Sequence, residues 1–428
     1  MKNLLKPIKK TARTSASIAS SEVISLSSNA RKCRIALYSH DTMGLGHKRR
    51  NLLIAQTLGC SNLETDVLLI SGIQDASNVI TLPGVDCLTL PALHKNIDGQ
   101  YQARRLDLSL QEIITLRSQV ILTTIKTFKP DILIVDNVPR GAVRELEPTL
   151  DYLRTQGKTH CILGLRDVLD DPTAVHRDWK RIANEEAIQT YYDAVWVYGD
   201  PAIYDLAQEY RFNPKTLAKL RYTGYLDQRS RLKFVDMDSV QALKALNLPS
   251  ERFVLCLVGG GQDGARLAET FACAELPPGM SGIILTGPFM SQEVQQRLQK
   301  SAAKRSNLRV LKYLAEPTLL LNQAERVIAM GGYNTTCELL SFQKRSLIVP
   351  RIKPRREQLI RAERLQALGL VDMLHPKHLK PQALTDWLMQ EGKPPQVRNC
   401  IDLNGLTRIP QFVNEILISA HNSSQQAS

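Results

Sequence analysis

The sequence predicts an α/β protein built from two doubly wound, mostly parallel sheets. Three observations predict it. Short apolar runs alternate with helical stretches along most of the 428 residues, the alternation restarts after a charged, irregular segment near 228–238, and in each half a strand runs through glycines into a helix start. A chain of this length can bury two cores of ordinary domain size. The reading divides it into a basic tail at 1–32, a first unit at 33–230, a second unit at 231–405, and a closing helix with a frayed end at 406–428.

Charge is unevenly placed. Of the formal +13, about half comes from the first 34 residues, where Lys2, Lys6, Lys9, Lys10, Arg13, Arg31, Lys32 and Arg34 face Glu22 alone. That segment is rich in Ser, Ala and Thr, which suits plain disorder, a basic arm touching anionic lipid, or an organelle transit peptide. Aromatic residues are few and no nucleic-acid module is recognisable, so no nucleic-acid partner is expected. No run approaches the roughly 18 apolar residues that a spanning helix needs. The eight cysteines are scattered without a CxxC pair, which points away from a disulfide framework or a zinc site and toward reduced thiols and a cytoplasmic location.

The first unit opens on the strand RIALYS (Arg34 to Ser39), which runs into HDTMGLGHKRR and the helical NLLIAQTLG. Gly44 and Gly46 open this turn, and His47 begins the helix with Lys48, Arg49 and Arg50 behind it. A histidine so placed projects at the carboxyl edge of a parallel strand, where open α/β sheets bind ligands, and the basic triplet could meet an anionic acceptor. An early helix residue on a wet surface gives the same pattern. Strands follow in DVLLISG, VDCLTLP, KPDILIVDN, HCILGLRD and AVWVYGD, with helices around Ser109 to Phe128, near Ala142 to Thr155 and before Thr190. Asp136, Arg166 and Asp167 fall at strand ends; the two aspartates are read as turn formers that border the cleft only by position.

The segment after LRYTGYLD is the boundary. Its Asp236-Met237-Asp238 spells a metal-binding DxD, but Asp238 and Ser239 sit in cap-like positions before a helical run, so no metal is expected. In the second unit FVLCLVGGGQDGARLAETF passes from a strand through Gly259, Gly260, Gly261 and Gly264 into an amphipathic helix. The spacing is only loosely that of a dinucleotide fingerprint, and SGIILTGP ends without the acid that would take a ribose. LRVLKYL (Leu308 to Leu314) supplies another strand.

RVIAMGGYNTTCE (Arg326 to Glu338) then repeats the device: a buried strand, Gly331 and Gly332 in a sharp turn, and Thr335 with Glu338 at capping-box spacing. Unpaired amides at such a helix start favour phosphate oxygens, although a loop in any α/β protein can look the same. Arg351, Lys353, Arg355 and Arg356 crowd the loop after RSLIVP, and Glu357 and Gln358 follow with side chains suited to sugar hydroxyls.

A GLGH turn in one unit, with VGGGQDGAR, AMGGYNTTCELL and PRREQ in that order in the other, resembles glycosyltransferase family 28. This is a family of the GT-B fold that holds bacterial cell-wall N-acetylglucosaminyltransferases and galactolipid synthases. The resemblance runs from about Arg34 to Ala420 and implies two Rossmann-like domains facing across a cleft. It implies transfer of a sugar from a nucleoside diphosphate, uridine expected, to an acceptor hydroxyl with inversion, without metal or cofactor. His47 would be the general base. Gly259, Gly260, Gly261, Gly264, Gly331, Gly332, Thr335 and Thr336 would meet the donor diphosphate, Glu338 the ribose, Tyr313 and Leu314 the nucleobase, and Glu357 and Gln358 the donor sugar. Gly44, Gly46, Arg49 and Arg166 would lie on the acceptor side. The first turn is poorer in glycine than the family's, and Glu357-Gln358 departs from its paired glutamines. The acceptor is therefore left open among lipid, polysaccharide and small molecule. A nucleotide-sugar 2-epimerase and a non-catalytic nucleotide-sugar scaffold are the alternative functions.

Overall fold

The alternation read from the sequence becomes two parallel sheets in the computed structural model, which describes residues 31–40, 46–72, 82–95, 100–245, 252–261 and 263–426. Gly44 and nearly all of the basic tail lie outside the described residues. The first sheet holds β1 (Cys33–Ser39), β2 (Thr65–Ser71), β3 (Val85–Thr89), β6 (Ile132–Asp136), β7 (His160–Arg166), β8 (Ala194–Tyr198) and β9 (Leu220–Tyr222). Between β3 and β6 a small antiparallel hairpin is made by β4 (Leu93–Lys95) and β5 (Tyr101–Ala103). The second sheet holds β10 (Phe253–Leu257), β11 (Ser281–Leu285), β12 (Leu308–Leu311), β13 (Arg326–Ala329), β14 (Arg345–Ile348) and β15 (Asp372–Met373).

Strand order explains where a site must form. The first sheet runs β3-β2-β1-β6-β7-β8-β9, and the second runs β12-β11-β10-β13-β14-β15. In each, the chain steps outward from a central strand, returns to that strand's other side, and then steps outward the opposite way. A crevice opens at the carboxyl ends where the direction reverses, because the loops there diverge to opposite faces. The reversal falls between β1 and β6 in one sheet and between β10 and β13 in the other. His47 follows β1 and Asp136 ends β6, while Gly259 follows β10 and Gly331 follows β13.

The central strands are buried on both faces, as parallel strands covered by helices must be. Ile35, Ala36, Leu37 and Tyr38 of β1 and Val327, Ile328 and Ala329 of β13 are fully covered. One apolar cluster continues from Leu37 through Tyr225 to Val327 and Leu340, so the two lobes share packing. The last helix, Gly405–Gln426, crosses back to the first lobe. Tyr225 N donates to Asp402 O at 2.8 Å, and Phe412 lies 5.7 Å from Trp196 with the Arg221 guanidinium 3.7 Å above its ring. No described helix is long and apolar enough to cross a membrane.

Three local expectations shift. The helix expected near Ala142 to Thr155 breaks into a 3₁₀ turn (Ala142–Arg144) and a helix (Glu147–Gln156), since Val143 takes a left-handed conformation and Pro148 starts the second piece. The strand expected to reach Leu314 stops at Leu311, leaving Tyr313 and Leu314 in the loop beyond it. The helix Met237–Ala245 is capped by Asp236, which accepts from Ser239 N at 2.6 Å, and Asp238 lies inside the helix.

Candidate active site

A cavity of about 290 Å³ lies where the two crevices meet. His47, Arg49, Arg50 and Arg166 wall it from the first lobe. From the second come Gly259, Gly260, Tyr313, Leu314, Gly332, Thr335 and Glu338, together with Gly287, Pro288, Phe289, Pro317, Tyr333 and Asn334.

His47 is the second residue of the helix Gly46–Gly59, which starts directly beyond β1. Its Nδ1 lies 2.5 Å from Asp136 Oδ2, a distance that requires a proton between them, so the ring donates from Nδ1. In the neutral ring Nε2 then carries the lone pair. This arrangement fixes tautomer and ring angle together, as a carboxylate behind a catalytic imidazole does. Arg50, one helical turn beyond His47, donates to both oxygens of Asp136 at 2.5 and 2.7 Å. Its guanidinium sits between the rings of Tyr198 and Tyr333, at 5.8 and 5.2 Å from their centroids. Burial would raise the Asp136 carboxyl, but Arg50 and His47 outweigh it and hold the group far below the usual carboxylate range. Asp136 therefore stays ionised. The expectation of a turn-forming Asp136 is corrected: the side chain is fully buried and orients the histidine.

Asp167 is also more than a turn former. It accepts from Val168 N at 2.7 Å, but it also takes the Tyr225 hydroxyl at 2.8 Å and the Arg361 guanidinium at 2.7 and 2.8 Å, binding one lobe to the other. Further ties hold the lobes against each other. Tyr333 Oη donates to Tyr198 O, and Asn334 Nδ2 donates to Gly46 O beside His47, both at 2.7 Å.

On the second lobe the helix starts earlier than the capping-box spacing suggested. It spans Tyr333–Ser341 with Gly332 as N-cap and no side-chain cap, so Thr335 and Glu338 are helix residues and the reading of them as a capping pair is corrected. Gly331, at φ +79°, makes the turn, and a Cβ there would come 2.6 Å from Ile348 Cγ2. With glycine at both positions the first amides of the helix face the cavity bare, which is the arrangement that binds anions. Gly332 has nothing within 4 Å of where its Cβ would stand.

Glu338 reaches the cavity wall and lies 3.5 Å from Arg49 Nη2, whose stronger partner is Glu316 at 2.8 Å. The two acids differ. Burial raises the Glu338 carboxyl more than Arg49 and Arg231 lower it, whereas for Glu316 the same arginines overcome burial and hold it down at about 2. Arg49, expected on the acceptor side, thus reaches across to the second lobe.

Several expected residues stand back from the cavity wall. Gly261 and Gly264 shape the turn after β10: Gly261 is at φ +96°, and a Cβ on Gly264 would meet Val258 Cβ at 2.3 Å. Thr336 is buried with its hydroxyl 3.3 Å from Gly331 O. Glu357 Oε1 pairs with Arg351 at 2.7 Å, and Gln358 Oε1 accepts from Arg351 N at 2.9 Å. The basic loop itself is largely matched, Arg351 also with Asp263 at 2.8 Å and Arg356 with Asp171 at 3.2 Å. Phe289, Tyr333 and Asn334 were not singled out from sequence. The GPF after β11 was the available signal, since Gly287, at φ +78° and with a Cβ there set to come 2.3 Å from Gly259 O, makes a third glycine turn at the same edge.

Comparison with known proteins agrees with this architecture. Residues 254–399 match the glycosyltransferase family 28 C-terminal domain. An uncharacterised glycosyltransferase of Methanosarcina acetivorans is 23% identical over 307 residues, covering 70% of this chain and 75% of the relative. Among solved structures, the calicheamicin glycosyltransferase CalG4 superposes with a TM-score of 0.57 at 13% identity, over 91% of this chain and 99% of that one. The UDP-GlcNAc 2-epimerase from Neisseria meningitidis, bound to UDP-GlcNAc, gives 0.60 at 16% identity, over 91% and 100%. Two Rossmann-like lobes of this order are the GT-B fold, and the family 28 domain match supports a glycosyltransferase. Within that fold, the second lobe matches the family 28 C-terminal domain over residues 254–399.

Proposed function

We propose that the protein transfers a sugar from a nucleoside diphosphate, uridine diphosphate being the favoured carrier, to an acceptor hydroxyl with inversion at the anomeric carbon. The observation that carries this reading is one cavity with two complementary walls: an imidazole oriented by a buried carboxylate on one side, and bare helix amides beside three glycine turns on the other. His47 Nε2 takes the proton of the acceptor hydroxyl as its oxygen attacks the anomeric carbon. The bond from that carbon to the diphosphate oxygen breaks, and its electron pair leaves with the diphosphate. Amides of Tyr333, Asn334 and Thr335 receive that charge, so the reaction needs no metal to carry it. Glu338 suits the ribose hydroxyls, with Tyr313 and Leu314 beside the base. Interlobe contacts keep water from the donor. The basic residues of 1–32 suit a peripheral contact with an anionic membrane if the acceptor is a lipid.

The fold shared with a 2-epimerase keeps one second reading in play. A panel of nucleoside diphosphates and their sugars tests the first. A specific ligand at 100 times its dissociation constant adds about 2.7 kcal/mol to stability, and proton NMR of the stabilising sugar nucleotide follows its fate. Glycosyl transfer predicts stabilisation without change of the sugar in the absence of an acceptor. Net epimerisation at C2 supports the epimerase, and failure of every nucleotide to stabilise the protein overturns both.

A further inference from the structure

Arg166 is the last residue of β7 and stands in the cavity wall. Among the described residues it is the one cavity arginine without an ion-pair partner. Arg49 is paired with Glu316 and Glu338, and Arg50 with Asp136. Just outside the wall Arg361 holds Asp167 and Arg351 holds Glu357, while Arg355 stands 3.9 Å from Asp170. Among the described residues Arg166 makes no ion pair or hydrogen bond, and its Nε is buried without a partner. Burial, followed by the nearby Arg50, lowers its guanidinium to about 10, and Glu357 only partly opposes this. At neutral pH it is still a cation.

Arg166 is half-buried, with its Nε covered and the rest of its guanidinium open to the cavity, and a buried donor without an acceptor is costly unless a ligand supplies one. The nearby acid Glu357 is only half matched. Glu357 has one oxygen on Arg351, and its other, Oε2, is buried and likewise without a partner, yet the two residues do not meet within ion-pair distance. An acceptor is missing on one side of that gap and a donor on the other. Besides Arg50, the charges that Arg166 feels belong to Glu357, Arg361 and Arg355 of the second lobe, so it faces the donor side of the cavity.

We propose that Arg166 binds an oxyanion carried by the sugar nucleotide, with Glu357 Oε2 taking a hydroxyl of the same molecule. This rests on the glycosyl-transfer reading and moves Arg166 from the acceptor side to the donor side. The oxyanion belongs either to the diphosphate or to an acidic group on the sugar.

Calorimetric titration of the wild type, Arg166→Met and Arg166→Lys with uridine, UDP, UDP-glucose and UDP-glucuronate tests it. Arg166→Met is expected to weaken at least one anionic ligand tenfold or more, with uridine unchanged and Arg166→Lys recovering part of the loss. Equal losses for UDP and both sugars place the oxyanion on the diphosphate, and a loss confined to UDP-glucuronate places it on the sugar. The melting temperature without ligand is expected to hold or rise in Arg166→Met, because no partner is orphaned. If Arg166→Met binds every ligand as the wild type does, or loses uridine equally, or lowers the melting temperature without a selective loss, the proposal is overturned while UDP binding to the wild type keeps the broader reading intact. If the wild type itself binds none of the four, the uridine-nucleotide reading falls and this proposal with it.

Discussion

Two stretches of this molecule are placed alike, yet they carry different side chains. Each is a buried central strand followed by a helix start at the reversal point of a parallel sheet: β1 before Gly46–Gly59, and β13 before Tyr333–Ser341. In the first, the strand alongside ends in Asp136, which grips His47 and Arg50 and fixes the orientation of the imidazole. In the second, neighbouring β14 contributes Ile348 against Gly331, and the helix start is left as bare amides. The backbone device supplies position alone. What the adjacent strand places behind the turn decides whether the helix start is backed by a charged side chain or left as bare amides; under the proposed function that is the difference between moving a proton and holding an anion.

The comparison breaks most visibly at His47. Replacing it with Ala removes the base but none of the amide turns, so turnover is expected to fall by roughly two to four decades with donor affinity nearly unchanged. Steady-state rates and donor titration of the same preparation check the split. An equal loss of donor affinity would mean that the two turns do not divide the work.

Asp136→Asn probes what lies behind the turn. The buried carboxylate that fixes the Nδ1 proton is lost, and Arg50 is left without a charge to meet. Activity is expected to fall by about one to three decades, and stability by up to about 3–5 kcal/mol, the usual result of orphaning one half of a buried pair. Denaturant unfolding and initial rates read the two effects separately. A stable variant with full activity would show that Asp136 does not orient the histidine.

These two stretches also show what a sequence carries. Apolar runs, glycine punctuation and helix starts are local signals, so the two lobes and both turns could be read from it. The His47–Asp136 pair could not, because its halves lie 89 positions apart and a strand-end aspartate looks like a turn former until β1 and β6 are set side by side. The start of the helix after Gly332 was misplaced for a related reason. Thr335 and Glu338 have the spacing of a cap, but Gly332 already occupies the cap position and frees Glu338 to face the cavity. Arg49 and Arg166 are both strand- or helix-end cations in sequence, and only the facing lobe shows that one meets Glu316 while the other has no partner among the described residues.

Gly331 and Gly332 sharpen the comparison within one turn. Gly332 has φ −58° and ψ 153°, which alanine adopts freely, and no atom lies within 4 Å of its absent Cβ. Gly332→Ala is therefore expected to fold normally and to weaken nucleotide binding about tenfold or more, near 1.4 kcal/mol, because the methyl occupies the space in front of the amides. Gly331→Ala is expected to do the reverse, lowering the melting temperature through its positive φ and the clash with Ile348. Thermal melts and nucleotide titration of the pair check this. Equal loss of binding without destabilisation in both would remove the distinction between turn-maker and cradle.

The smallest effect is a pH dependence at Glu338, and its sign follows from burial. The folded carboxyl lies above its unfolded value because desolvation outweighs Arg49 and Arg231. A group raised in this way contributes its full stability below the unfolded value, about 4.3 for glutamate, and loses that contribution as pH rises through the folded value. At neutral pH the ionised Glu338 of the empty cavity is then a net cost. Glu338→Gln, which keeps the shape and removes the charge, is expected to melt higher than the wild type at pH 7 and to converge with it below about pH 4. If Glu338 takes the ribose as proposed, its charged form accepts those hydrogen bonds more strongly than an amide does, so nucleotide affinity of the wild type should fall as pH drops through that folded value while that of Glu338→Gln stays flat. Melting curves and titrations across that range decide it: a variant that melts lower at pH 7 would show that the Arg49 contact outweighs burial, and a wild-type affinity without pH dependence would separate Glu338 from the nucleotide.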